Sequence, residues 1–147
     1  RVSFKKHFQT LFSGGEADLV LCDEGAGVDI FAKPPGKQMR SMQLLSGGEK
    51  TMTALALLFA CFDARPSPFC ILDEVDAPLD ETNVERLGCL LKAFCDRTQF
   101  LVITHNKKTM QIADTLIGVS MAEKGVSQII ALDFKRRESP AGAVAIL

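Results

Sequence analysis

The chain contains no tryptophan and no tyrosine. Stacking of aromatic rings on nucleic-acid bases would therefore fall to its ten phenylalanines, and most of these sit in apolar patterns that read as core. Histidine is almost as scarce. His7 and His105 stand far apart in sequence, and no C-x-x-C pair exists, so a zinc site is not expected. No apolar run reaches the roughly 18 residues a membrane span needs; the densest, Thr53 to Phe62, is short and lies inside a helical pattern. The opening Arg1-Val2-Ser3-Phe4-Lys5-Lys6 leads into polar residues and does not resemble a secretory signal. A formal net charge of -1 excludes a polycation whose bulk field alone would gather nucleic acid. Finally, no stretch reads G-x-x-x-x-G-K-[ST], the loop that usually cradles a nucleotide's phosphates. Internal repeats are also missing.

What is present suits one domain's worth of soluble chain. At 147 residues it is long enough to bury a real core. The cysteines, Cys22, Cys61, Cys70, Cys89 and Cys95, are odd in number. Cys61 and Cys70 lie within apolar runs, so the set is expected to be reduced, buried core filler of a cytosolic protein. No basic or histidine cluster stands where it would lower a thiol pKa.

Two patterns divide the chain. A short helical lead-in, Val2 to Thr10, precedes partly alternating segments at residues 17–22 and 28–32, separated by a turn at Gly25-Ala26-Gly27 and closed by Pro34-Pro35-Gly36. These predict antiparallel hairpins. From Ser46 the pattern becomes helices alternating with buried strands: a helix to about Asp63, a strand over residues 69–72, a helix over residues 80–95, a strand over residues 99–104 and a short helix over residues 107–113. The run Phe69-Cys70-Ile71-Leu72 predicts a central parallel strand covered on both faces. Val84, Leu87, Leu90, Leu91 and Phe94 form one apolar stripe. Residues 116–121 and 126–132 flank Lys124-Gly125 as a hairpin, and residues 135–147, with Lys135-Arg136-Arg137 and Ser139-Pro140-Ala141-Gly142, read as a frayed tail. The expected fold class is α/β, parallel strands with flanking helices plus an N-terminal antiparallel β-hairpin region. Its expected division is 1–42, 43–134 and 135–147.

Three motifs carry chemistry. Ser46-Gly47-Gly48-Glu49 opens a helix with capping-box spacing, so Ser46 is expected at the N-cap, where free N–H groups and the helix dipole make an anion site. A well-capped helix and nothing more would look the same. The earlier copy, Ser13-Gly14-Gly15-Glu16, leads into a strand-like pattern and is assigned no phosphate. Cys70-Ile71-Leu72-Asp73-Glu74 is an apolar strand ending in two carboxylates, which places Asp73 and Glu74 at the crevice where α/β sheets bind ligands. Asp80 is expected to cap the helix that follows. His105 ends the next strand, Phe100-Leu101-Val102-Ile103-Thr104. The basic residues Lys33, Lys37 and Arg40 around the Pro-Pro-Gly loop, and the Lys107-Lys108 pair, are ordinarily a solvated surface; DNA-backbone contact is the sharper alternative.

In order and spacing these motifs resemble the C-terminal half of an ABC-type ATPase head. Leu44 to Lys50 resembles the ABC signature, residues 70–74 a Walker B strand, Ala77-Pro78-Leu79-Asp80 a D-loop and His105 an H-loop histidine. The flanking residues, Val102 to Met110, Gly118 to Met121, Leu57 to Ala60 and Asn83 to Arg86, are similar to SMC (structural maintenance of chromosomes) proteins over about Lys6 to Asp133. Small departures are Pro78, where alanine is frequent, and Ser13, where the family often has glycine.

The resemblance implies ATP and Mg²⁺ as cofactors. Asp73 would serve the metal, Glu74 would be the catalytic base, and His105 would sense the γ-phosphate and position water. Ser46, Gly47, Gly48, Glu49, Lys50 and Asp80 would meet nucleotide held by an opposite head. Implied partners are an N-terminal lobe of the same protein, a second SMC head, a kleisin-type subunit and DNA in the full complex, with no membrane. The missing phosphate loop then belongs to the N-terminal lobe, a long coiled coil re-enters the head at Val2 to Thr10, and this piece alone is expected to hydrolyse nothing. The implied setting is chromosome condensation and segregation, cytoplasmic and nucleoid-associated in a bacterium or nuclear in a eukaryote. The alternative is the equivalent lobe of a coiled-coil DNA-repair ATPase.

Overall fold

The computed structural model describes residues 1–22, 27–134 and 144–146. The expected turn at Gly25-Ala26 and the residues Lys135 to Gly142 of the tail lie outside them. The chain forms two compact units, Arg1–Pro66 with Pro78–Arg86, and Ser67–Ala77 with Leu87–Leu147.

The first unit is built from two helices and a small antiparallel sheet. Helix α1 (Val2–Phe12) buries Phe4, His7, Phe8 and Leu11, the i, i+3, i+4, i+7 stripe of an amphipathic helix. Opposite it, α2 (Gly47–Ala64) buries Met52, Leu55, Ala56 and Phe59. Removing Phe4, Phe8 and Phe59 from water contributes roughly 2–3 kcal/mol each. At the polar edge of this contact the buried His7 meets Asp63 at Nε2···Oδ2 2.6 Å. Helix α1 ends at Ser13, which is left-handed, and Gly14 and Gly15 carry the chain into β1 (Glu16–Leu21). A Cβ on Gly15 would lie 2.5 Å from the Lys33 carbonyl, so this earlier Ser-Gly-Gly-Glu is a turn set by backbone packing. Strand β1 pairs with β2 (Val28–Lys33), and β2 with the short β3 (Arg40–Ser41). A 3-10 turn, Met42–Leu44, then leads into α2.

The second unit carries a mixed sheet in the order β4 (Phe69–Asp73), β5 (Gln99–Ile103), β8 (Val144–Ile146), β6 (Thr115–Glu123), β7 (Val126–Asp133). β4, β5, β8 and β6 run parallel, and β7 returns antiparallel after Lys124-Gly125, as the hairpin pattern predicts. Helix α3 (Glu81–Phe94) begins in the first unit and ends in the second. Its expected stripe, Val84, Leu87, Leu90, Leu91 and Phe94, is buried throughout, and Phe100, Val102 and Ile146 are fully buried too. No helix among the described residues is long and apolar enough to cross a membrane.

Four expectations change. Strand β4 ends the sheet among the described residues, and its alternation leaves Leu72 buried but Phe69 62% and Ile71 57% exposed, so it is covered on one face only. Of the five cysteines only Cys95 is buried; Cys61 and Cys89 are exposed and Cys22 and Cys70 are half-buried. Cys61 falls off the 52–55–56–59 stripe of α2, and position along the apolar run could not reveal that. Helix α4 (Lys107–Met110) stops three residues early, because Ile112 N–H turns back to the Thr109 carbonyl and Ala113 N–H to that of Met110. Finally, residues 144–146, expected to fray, form β8 between β5 and β6, with Ile146 wholly buried. Burial of one isoleucine and two parallel ladders offset the ordering entropy there.

Candidate functional site

In the first unit the sequence builds an anion-receptive helix end. Ser46 is the N-cap of α2 and the reciprocal capping box is complete. Glu49 N–H donates to Ser46 Oγ at 3.4 Å, and Ser46 N–H donates to Glu49 Oε2 at 3.0 Å. The Ser46 hydroxyl also donates to that same oxygen, at 2.8 Å. Lys37, from the loop after β2, reaches Glu49 Oε1 at 2.9 Å. Its ammonium, with the bonds from Ser46, holds the Glu49 carboxyl below the usual carboxylate range although burial opposes this. Gly47 has open space where a Cβ would stand, and Lys50 is exposed on the next turn.

Gly48 is different, because a Cβ there would sit 2.8 Å from the Pro78 carbonyl oxygen. The first turn of α2 and the segment before α3 thus touch backbone to backbone. Asp80 follows, exposed, and its Oδ1 accepts from Asn83 N–H at 2.8 Å as the expected cap of α3. Ser46, Gly48, Glu49 and Asp80 line one cleft of about 400 Å³, together with Arg86. The Arg86 guanidinium donates to the Leu11 carbonyl at the end of α1, at 3.4 Å, and to Asn83 Oδ1 at 3.1 Å.

The second unit brings together Asp73, Glu74 and His105. Strands β4 and β5 are parallel and in register, Asp73 opposite Ile103, so both carboxyl ends finish at the same edge. Glu74 has φ 47, a left-handed backbone for a non-glycine residue, with a cost of order 1 kcal/mol. Its N–H donates to the Ile103 carbonyl at 2.9 Å, and this bend carries the side chain toward β5. Glu74 Oε1 stands 3.7 Å from His105 Nδ1, adjacent but too far for a hydrogen bond. Both side chains are exposed, as is Asp73, so all three are available to a ligand.

Beneath them is a buried polar cluster that local spacing does not announce. Asp76 is 2% exposed, and its Oδ2 accepts from the Thr104 hydroxyl at 2.6 Å and from the Thr109 hydroxyl. Thr104 Oγ1 in turn accepts from Asn106 N–H at 2.9 Å, and Asn106 Oδ1 caps α4 by accepting from Lys108 N–H at 2.9 Å.

The donor sets fit the implied ligands. Asp73, an exposed hard-oxygen donor at a strand end, suits Mg²⁺, which takes one or two carboxylates and keeps water and phosphate for its other positions. The open N-terminus of α2 suits a phosphate. The structure places Ser46, Gly47, Gly48, Glu49, Lys50 and Asp80 in the first unit and Asp73, Glu74 and His105 in the second. Sequence reading missed Asp76 as more than one acid of a turn, and missed that Lys37 pairs with Glu49 twelve positions on. Lys33 is likewise ion-paired, to Glu16 at 3.2 Å.

Comparison with known proteins gives a consistent answer. The family model described as RecF/RecN/SMC N terminal domain matches residues 29–128. A chromosome partition protein Smc from Halobacteriovorax marinus is 54% identical over 135 residues, covering 89% of this chain and 11% of that protein. A solved structure described as structural biochemistry of ATP-driven dimerization and DNA stimulated activation of SMC ATPases superimposes with a TM-score of 0.83 at 42% identity, covering 90% of this chain and 83% of that one. The Smc head domain of Pyrococcus furiosus, with an extended coiled coil and bound to the C-terminal domain of ScpA, gives a TM-score of 0.82 at 42% identity, over 90% of this chain and 34% of that one. The chain therefore spans about a ninth of the curated relative's length and most of one solved chain. By sequence and by fold, this chain belongs to the RecF/RecN/SMC family, as part of an SMC head.

Proposed function

We propose that the chain is the C-terminal lobe of an ABC-type SMC ATPase head, completing a composite ATP site that drives head engagement in chromosome segregation. In this reading residues 1–42 are the coil re-entry and hairpin region and residues 43–134 the lobe proper, whose sheet residues 144–146 complete as β8. The observation that carries it is the Glu74–His105 pair, 3.7 Å apart at the aligned carboxyl ends of two parallel strands.

Each residue has a physical role. Glu74, exposed beside His105, takes the proton of the attacking water, and His105 orients that water toward the γ-phosphate. Mg²⁺, bound at Asp73, would neutralise charge on the β- and γ-phosphates. At the other half-site the amides of Gly47 and Gly48 and the Ser46 hydroxyl receive the γ-phosphate of ATP bound to a second head, with Lys50 and Asp80 at its margin. The hydroxyl must leave Glu49 Oε2 to do so, and Lys37 keeps Glu49 compensated as it leaves. The γ-phosphate supplies the affinity that differs between engaged and separate heads, so its loss releases the pair.

The partners proposed are the N-terminal lobe carrying the phosphate loop, a second head, a kleisin-type subunit and DNA. The ScpA-bound and ATP-dimerised relatives support three of these by analogy. Lys33 and Lys37 are tied to acids, which weakens their claim on DNA. The relatives named as chromosome partition proteins favour a nucleoid-associated cytoplasmic setting over a nuclear one, and this reading over a DNA-repair ATPase.

The test is ATP hydrolysis by this chain alone and mixed with the N-terminal lobe of the same protein, with Glu74→Gln as control. Turnover only in the mixture, and lost by at least about 100-fold in the variant, is expected of a general base. Turnover by the lone chain, or an active Glu74→Gln mixture, would overturn the reading.

A further inference from the structure

We infer that Asp76 is a positioning residue for hydrolysis: it latches the turn that bears Glu74 to the turn that bears His105. This inference rests on the roles just proposed for Glu74 and His105.

The geometry assigns the latch residue by residue. Asp76 lies two positions after Glu74 and is buried, while Asp73 and Glu74 themselves are exposed. A single carboxylate oxygen, Oδ2, receives two hydroxyls from residues 28 and 33 positions away. One belongs to Thr104, the residue immediately before His105; the other to Thr109 on α4, just beyond it. Thr104 also receives the N–H of Asn106, immediately after His105. The histidine backbone is thus bracketed on both sides by bonds that converge on Asp76. From the other direction, the Glu74 N–H reaches the Ile103 carbonyl, and the left-handed Glu74 backbone needs its neighbours to hold it there. Backbone and side-chain bonds together close a loop through residues 74, 76, 103, 104, 106 and 109. Within that loop the Glu74 and His105 side chains are free to meet a ligand, yet their Cα positions cannot drift apart.

The cluster's hydrogen bonds run between residues of this chain, as expected of a part that orients others. A general base and a water-orienting imidazole must be held to a few tenths of an ångström, and a misplacement of about 1 Å costs about 100-fold in rate. Deleting the shared acceptor also leaves two buried hydroxyls unpaired, so they must seek new partners and move the turns they sit on. An Asp76→Asn side chain retains one carbonyl oxygen able to accept from both threonines. Asp76→Ala retains none.

The experiment uses the full-length protein, with steady-state ATP turnover normalised to ATP bound per head and ATP-dependent head engagement followed by cross-linking. Asp76→Ala is expected to lower kcat by roughly 30–100-fold, while KM for ATP and engagement stay within about 3-fold. Asp76→Asn is expected to recover kcat to within about 5-fold of the parent. Should Asp76→Ala fail to fold, Thr109→Val tests the same latch, with a smaller loss of kcat that Thr109→Ser restores.

A folded Asp76→Ala protein turning over within about 2-fold of the parent would overturn the latch, as would an Asp76→Asn protein as impaired as Asp76→Ala. So would a fall in engagement proportional to the fall in kcat, because that marks a merely structural acid. Glu74→Gln, run alongside, separates the layers. If it leaves turnover intact, the reading of the site fails and takes the latch with it. If it abolishes turnover while Asp76→Ala does not, the latch alone fails.

Discussion

Gly47 and Gly48 are adjacent, share the first turn of one helix, and should respond in opposite directions to the same substitution. A Cβ at Gly47 meets nothing within 4 Å. Gly47→Ala therefore keeps every contact and gains helix propensity, up to about 1 kcal/mol at an interior position and less at a first-turn one. At Gly48 the added carbon would stand 2.8 Å from the Pro78 carbonyl oxygen and 3.9 Å from its carbon. Backbone must then move, since no flexible side-chain tip lies there to give way, and overpacking of this kind costs about 1–3 kcal/mol. Subtracting the propensity gain, Gly48→Ala is expected to destabilise by about 0.5–2 kcal/mol and to sit about 1–3 kcal/mol below Gly47→Ala. For a chain of this size the gap corresponds to roughly 3–10 °C in Tm. With no tryptophan or tyrosine to report by fluorescence, helical circular dichroism through a thermal melt is the natural assay. Equal melting temperatures for the two variants, or a more stable Gly48→Ala, would refute the close approach of the α2 turn to the Pro78 backbone.

Gly15→Ala is expected to destabilise by about 2–4 kcal/mol, because Gly15 combines φ +80 with a carbonyl 2.5 Å from the new carbon. The same melt checks it, and an unchanged Tm would contradict the packed turn. Glu49 supplies a pH dependence. Its folded-state pKa is depressed chiefly by Lys37, so its contribution is fully present above the ordinary carboxylate value near 4.3 and is lost as pH falls through the lower folded value. Lys37→Met should accordingly lower stability by about 0.5–1 kcal/mol at pH 7, Lys37 being half exposed, and match the parent at pH 2–3. A gap that persists in acid would mean Lys37 acts through packing.

The parts of this molecule that were legible in its residues are those fixed by local spacing. Ser46 and Glu49 sit three apart, and the capping box they predict is complete. Val84 to Phe94 repeats with the helical period, and that face is buried. Asp80 precedes a helical pattern and caps it. Each rests on contacts within about one or two turns of chain. What escaped depends on partners remote in sequence. The exposure of Phe69 and Ile71 depends on where β4 falls in the strand order, and a run of four apolar residues does not encode that. Asp76 finds Thr104 and Thr109 only because two parallel strands end side by side, and His7 finds Asp63 only because two helices pack. The strand at residues 144–146 is likewise a matter of insertion between β5 and β6. Candidate site residues were named from motif resemblance, but their separation into the α2–Asp80 cluster and the Asp73–Glu74–His105 cluster came from the fold.

Strand β7 has a consequence for anyone who concentrates this chain. Every residue from Val126 to Asp133 is exposed, and among the described residues β7 closes the sheet on one side. Ile129 and Ile130 point to opposite faces, so a turn of the strand hides neither, and no proline, lysine or arginine interrupts it. The outward backbone edge of residues 126–132 is a template for another copy of itself. Colloidal stability, rather than folding stability, therefore sets the working concentration of the isolated polypeptide, and a lysine placed at Ile129 would raise that ceiling without entering the core.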